Sequence, residues 1–174
     1  QRIAVGLDET CRRLRRHVLA PIPLHPAAHG GVPGRSVRTA LEPHAGSIVV
    51  IRADLESFFA AIAARRVYGV LRRAGYPEAV AHVVTGLCMT VVPAATWAAI
   101  EVPPDRDRHF RLGRALAAPH LPQGAPTSPA LANLVTFSLD RRLAGLARAF
   151  GGVYTRYVDD LTFSGGSALR AGRS

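Results

Sequence analysis

Two adjacent aspartates, Asp159 and Asp160, lie between two short runs rich in aromatic and β-branched residues, 153–158 and 161–164. A chain can pair two such runs so close in sequence only by doubling back. The pattern therefore predicts an antiparallel hairpin with a tight turn at Asp159-Asp160. A third run, 47–54 (SIVVIRAD), is bounded by Gly46 and reads as a buried strand.

Helices are expected between these strands: one over 56–73, and a second from after Pro77 to near Pro93. A third start is marked at Thr127-Ser128-Pro129, where a hydroxyl N-cap precedes proline at the first helical position. From there Leu131, Val135, Leu139, Leu143, Leu146 and Phe150 recur at helical spacing, up to the stop at Gly151-Gly152. Residues 12–17 read as a basic helical stretch, 21–34 as loop, and 103–114 as an exposed loop dense in charge and proline. The order strand, helices, long helix, hairpin implies an α+β domain with helices packed on an antiparallel sheet.

The chain has 174 residues, 48% of them hydrophobic, which suffices for one substantial core. Both ends look arbitrary, with Gln1 rather than methionine at the start, so the chain reads as a fragment. Its net charge is +10 and its 22 basic residues are all arginine, a balance that favours phosphate polyanions. Cys11 and Cys88 have neither metal-type spacing nor the look of a disulfide framework, which fits a reducing cytoplasm. Residues 79–100 carry no charge, but His82, Gly86, Pro93 and several threonines interrupt them, so a buried helix is expected there and no membrane span.

Chemistry is concentrated in the carboxylates. Asp159 and Asp160 read either as a solvated turn or as a pair set in an apolar hairpin by Tyr157, Val158, Leu161 and Phe163. Adjacent carboxylates repel, and a divalent cation relieves the repulsion through oxygen ligands of this kind. Asp54 ends the other strand. It reads as a cap for the next helix or, if that strand lies beside the hairpin, as a third carboxylate converging on the same point. Three such groups can hold two magnesium ions for phosphoryl transfer.

Three segments carry a resemblance. Tyr157-Val158-Asp159-Asp160 is similar to the Tyr-x-Asp-Asp box of reverse transcriptases, and Asp54-Leu55-Glu56-Ser57-Phe58-Phe59 to their Asp-x-x-x-Phe-Phe box. Between them, residues 121–129 (LPQGAPTSP) resemble the LPQGxxxSP box, in the family's order and intervals. Residues 29–36 (HGGVPGRS) and 156–165 (RYVDDLTFSG) are similar to segments of the bacterial retron-type branch, with Gly31 where Phe is usual and Val158 where Ala is usual. That branch also carries an Asn-Ala-x-x-His element; here 40–44 (ALEPH) keeps only His44, which puts a dedicated retron RNA partner in doubt. The interval 93–119 is long for the family and suggests an insertion.

The resemblance implies a polymerase palm and part of the fingers over 29–174, after an N-terminal basic and loop segment at 1–28, with the helical thumb absent. It implies Asp54, Asp159 and Asp160 as catalytic metal ligands, joined by the Leu55 carbonyl, for two Mg2+ ions that Mn2+ can replace. Nucleotide contacts are implied for Arg35, Arg52, Phe59, Gln123 and Gly124, with Phe59 beneath the incoming sugar. Phe59 could equally be a packing residue, and Gln123-Gly124 plain turn chemistry. Tyr157, Arg12 and Arg13 are candidates for nucleic-acid contact, the arginines being alternatively one solvated helix face together with Arg15 and Arg16. His29 and His44 are expected to serve loops and packing.

The implied partners are an RNA template, a DNA or RNA primer, deoxynucleoside triphosphates and, on the retron side, a structured noncoding RNA in a phage-defence setting. A non-catalytic RNA-binding palm and a template-independent polymerase of the same family stay open as alternatives.

Overall fold

The computed structural model describes residues 2–167. It is α+β, with eight α-helices and one three-stranded antiparallel sheet among the described residues. The chain forms two compact units, Gln1–Ile22 with Ser57–Ala132, and Pro23–Glu56 with Asn133–Ser174.

The second unit holds the sheet. Strand β1 (Val49–Asp54) pairs with β3 (Asp160–Gly165), which pairs with β2 (Val153–Tyr157), giving the order β1-β3-β2. Helix α8 (Phe137–Ala149) lies on β2 and supplies Leu143, Ala144 and Ala147, one face at helical spacing, to a core with Ala27, Tyr154 and Leu161. Helix α2 (Val37–Leu41) opens with a reciprocal capping box between Ser36 and Thr39. The 3-10 turn after it delivers His44, buried, to hydroxyls on two strands: Ser164 Oγ at 2.6 Å and Thr155 Oγ1 at 2.8 Å. Burial lowers the imidazole pKa. The histidine kept from the retron-type element thus clips α2 to the sheet, a packing role as expected. His29 bonds Thr39 Oγ1 through its ring at 2.9 Å.

The first unit is helical: α1 (Arg2–Leu14), α3 (Ala64–Arg73), α4 (Glu78–Cys88), α5 (Ala94–Ala98) and α6 (Arg106–Ala117). Val67 and Leu71 of α3 and Ala81, Val84 and Cys88 of α4 form its apolar seam. His120 pairs its backbone with both Ala63 and Thr90. In the long interval, Trp97 stacks on His109 at 4.5 Å, and a Cβ on Gly113 would fall 2.6 Å from the indole nitrogen. Helix α7 (Ser128–Val135) continues from this unit into the next.

Several boundaries differ from expectation. The helix expected over 56–73 begins only at Ala64, because Ser57 takes φ 52° and Ala63 pairs as extended backbone with His120. The one expected to reach Pro93 ends at Cys88, where Thr90 exchanges both backbone hydrogen bonds with His120. The expected loop 103–114 is largely α6, started by Asp105, whose side chain accepts from Arg108 N at 2.9 Å. The long helix after Pro129 is two helices, broken at Thr136 (φ −85°, ψ 1°). Thr127 Oγ makes no capping bond among the described residues, while Ser128 Oγ donates to the Pro122 carbonyl at 2.6 Å. No helix of the described residues is long and apolar enough to cross a membrane.

Candidate active site

The β1·β3 ladder sets Asp54 directly opposite Asp160, and the β2·β3 ladder sets Tyr157 opposite Asp160. The two-residue turn is therefore Val158-Asp159, one position earlier than the sequence suggested. Beyond the ladder, Leu55 N donates to the Asp159 carbonyl at 3.1 Å, tying the turn to the end of β1. Three acidic residues thus share one end of the sheet, and none of them is buried.

Their backbones are brought together; their carboxylates are not gathered into a cage. No group of three His, Cys, Asp or Glu side chains among the described residues is disposed to hold an ion. Convergence of three like charges is unfavourable without a cation between them, and Asp160 instead faces Arg52 Nη2 at 3.3 Å. That pair is open to solvent, so it stabilises little and can be exchanged. By donor chemistry the set fits a hard divalent cation such as magnesium, which takes carboxylate and carbonyl oxygens.

The turn is supported from beneath. Val158 has φ 59°, a left-handed angle that a β-branched residue rarely adopts and that costs roughly 1–3 kcal/mol. Its carbonyl accepts from Arg156 Nη1 at 2.7 Å. Arg156 is fully buried and grips Asp140 on α8 at two points, Nε to Oδ1 and Nη2 to Oδ2, both 2.8 Å. Its Nη2 also reaches Asn133 Oδ1 at 3.0 Å, and Asn133 Nδ2 donates to the Gly30 carbonyl at 2.9 Å. Tyr154 hydroxyl donates to Asp140 Oδ1 at 2.8 Å, and burial followed by the Asp140 charge raises its pKa strongly. Sequence reading passed over Asn133, Asp140 and Arg156. The available signals were the spacing of seven between Asn133 and Asp140, one face of the single helix that the sequence suggested, and the alternation that puts Arg156 on the same face of β2 as Tyr154.

Arg35 Nη1 bonds the carbonyls of Pro26 (2.6 Å) and Ala28 (2.5 Å), so part of its guanidinium holds its own loop. On α1, Arg12 pairs with Asp8 at 2.8 Å and Arg13 is exposed, as are Arg15 and Arg16 just beyond its end. In the helical unit Phe58 is buried and Phe59 half-buried, with their rings edge to face at 5.4 Å. Gln123 and Gly124 are exposed just before α7, with Gly124 at φ 88°.

With this geometry established, comparison with known proteins decides the family. Residues 7–170 match the family model described as reverse transcriptase (RNA-dependent DNA polymerase). The chain belongs to the reverse transcriptase family. It is 44% identical over 158 residues to retron Mx65 reverse transcriptase of Myxococcus xanthus, covering 88% of this chain and 34% of that protein. It is 41% identical over 148 residues to retron Mx162 reverse transcriptase of the same organism (85% and 29%). To retron Ec86 reverse transcriptase of Escherichia coli it is 34% identical over 149 residues (86% and 38%). The chain is thus a homologue of retron reverse transcriptases and spans about a third of their length.

Proposed function

We propose that this reverse transcriptase chain supplies the palm and part of the fingers of an RNA-templated DNA polymerase, using deoxynucleoside triphosphates and two magnesium ions. The observation that carries the reading is the register that sets Asp54 opposite Asp160 and bonds Leu55 to Asp159. Asp54, Asp159, Asp160 and the Leu55 carbonyl would hold the ions, which when bound supply charge neutralisation at the attacking 3′-hydroxyl and the leaving pyrophosphate. Arg52 neutralises Asp160 meanwhile and is free to turn toward a triphosphate, which guanidinium binds two oxygens at a time. Gln123 and Gly124, exposed just before α7, are proposed to contact the nucleotide, and Tyr157 the nucleic acid. A structured noncoding RNA is proposed as natural template, in keeping with the retron relatives.

Primer extension by the full-length protein tests this. Magnesium-dependent incorporation that copies a primed RNA supports the reading. Binding of that RNA without incorporation would leave a recognition module, and incorporation indifferent to template sequence would leave a template-independent polymerase.

Sugar choice gives a second expected result. A half-buried ring at Phe59 excludes a 2′-hydroxyl by clash, a repulsive form of specificity. Phe59→Val should raise ribonucleotide relative to deoxynucleotide incorporation by about 10-fold, roughly 1.4 kcal/mol. Phe58→Ala, in the core, should instead cost about 3–5 kcal/mol of stability. Discrimination ratios and melting temperatures of both variants check the assignment; unchanged discrimination in Phe59→Val sinks it.

A further inference from the structure

We propose that Arg156, held by Asp140 and Asn133, is a positioning residue that fixes the strained Val158-Asp159 turn and so the two aspartates it presents. The inference rests on the reading of that turn as a metal site. Three independent observations meet here. Val158 takes a left-handed φ of 59° that its side chain disfavours, so something outside the turn must hold it. The Val158 carbonyl accepts a 2.7 Å hydrogen bond from a guanidinium with no exposed surface. Gly30 packs so closely against the turn that a Cβ there would lie 2.5 Å from Val158 N.

These contacts close a ring. Arg156 bonds the Val158 carbonyl and Asn133, Asn133 bonds the Gly30 carbonyl, and Gly30 abuts Val158. Asp140 fixes the guanidinium plane through two of its donors, which leaves the Nη1 edge aimed along the strand at the turn. Backbone hydrogen bonds seat Arg156 on the 25–35 loop: its N donates to Ala27 O at 2.7 Å, and its O accepts from His29 N at 2.8 Å. A lysine could keep the charge opposite Asp140, but as a point charge it could not serve Asp140, Asn133 and Val158 in one plane.

The test uses the full-length protein and reads the turn itself as well as activity. In Arg156→Lys, amide exchange over residues 157–161 should accelerate by about 10-fold or more. The Kd for Mn2+, followed by electron paramagnetic resonance without nucleotide, should rise about 10-fold, and kcat should fall about 100-fold while KM for the nucleotide stays within about 3-fold. Tyr154→Phe is the control: it also removes a buried bond to Asp140 but does not touch the turn, so it should lower the melting temperature and leave exchange and Mn2+ affinity within about 3-fold. Should Arg156→Lys fail to fold, Arg156→Met combined with Asp140→Leu decides on the same readouts, because an apolar pair can replace a buried ion pair without loss of stability.

Wild-type turn exchange and Mn2+ affinity in the folded Arg156 variant overturn the proposal, as do equal effects of Tyr154→Phe or failure of both Arg156 variants to fold. If the wild type itself neither binds Mn2+ nor incorporates nucleotide, the metal-site reading fails. Turn exchange in the same variants would still decide whether Arg156 positions the turn.

Discussion

Replacing Asp160 by asparagine is expected to abolish nucleotide incorporation, by about 10³-fold or more, roughly 4 kcal/mol of transition-state stabilisation. The change keeps the side chain's size and removes only its charge. The fold does not need that charge: the carboxylate is partly exposed, and its partner Arg52 is more exposed still, so the ion pair contributes little. Relief of repulsion with Asp54, its direct cross-strand neighbour, should offset even that small loss. The expected pattern is therefore an unchanged or slightly raised melting temperature, retained binding of a primed RNA, and lost magnesium-dependent extension. Asp159→Asn should behave alike. Activity of either variant near that of the wild type would remove these aspartates from the chemistry, whatever the family.

The same two residues show how far the sequence could be read. Alternating apolar residues on both sides of Asp159-Asp160 announced the hairpin, and the β-branched run before Asp54 announced its neighbour, because strand patterns are local. Adjacency of β1 and β3 is not local. It came from the resemblance and is now seen as a register pairing Asp54 with Asp160. The turn was misplaced by one residue because valine is a poor candidate for a left-handed angle, and only the buried arginine two residues earlier makes that angle tenable. Tertiary pairing likewise overrode helical patterns at Ala63 and Thr90, where His120, distant in sequence, draws both into extended bridges. The helix over 106–117 was missed because arginines and an exposed Phe110 obscured its apolar side, although Asp105 stood at its cap. Asn133, Asp140 and Arg156 gave only the weak signals of helical spacing and strand alternation, since a polar side chain reads as solvated until its partners are known.

Gly30→Ala should impair the enzyme without any change in its chemical groups. Glycines in this chain are required for two separable reasons. Gly34 and Gly46 have φ of 74° and 75° with open space around them, so there the backbone angle demands glycine. Gly30 shows no such angle; its constraint is room. An added Cβ would lie 2.5 Å from both Val158 N and Val158 Cγ2, and 3.2 Å from Tyr157 C. Two of those three atoms are backbone, at the junction of β2 and the turn, so relief requires moving the turn or the 25–35 loop rather than rotating a side chain. The loop is held by Asn133, by Arg35 and by backbone bonds to Arg156, which makes the turn the part expected to yield. Overpacking of this kind costs about 1–3 kcal/mol of stability, and a displacement near 1 Å at a reacting centre about 100-fold in rate. Gly46→Ala provides the contrast, a loss of roughly 1–2 kcal/mol from the strained angle with the turn untouched. Primer extension and thermal melts of the two variants separate these outcomes. Gly30→Ala should lose far more activity than its melting temperature explains, and Gly46→Ala should lose stability with near-normal turnover. Full activity in Gly30→Ala would mean that the close approach of this loop does not hold the turn in place.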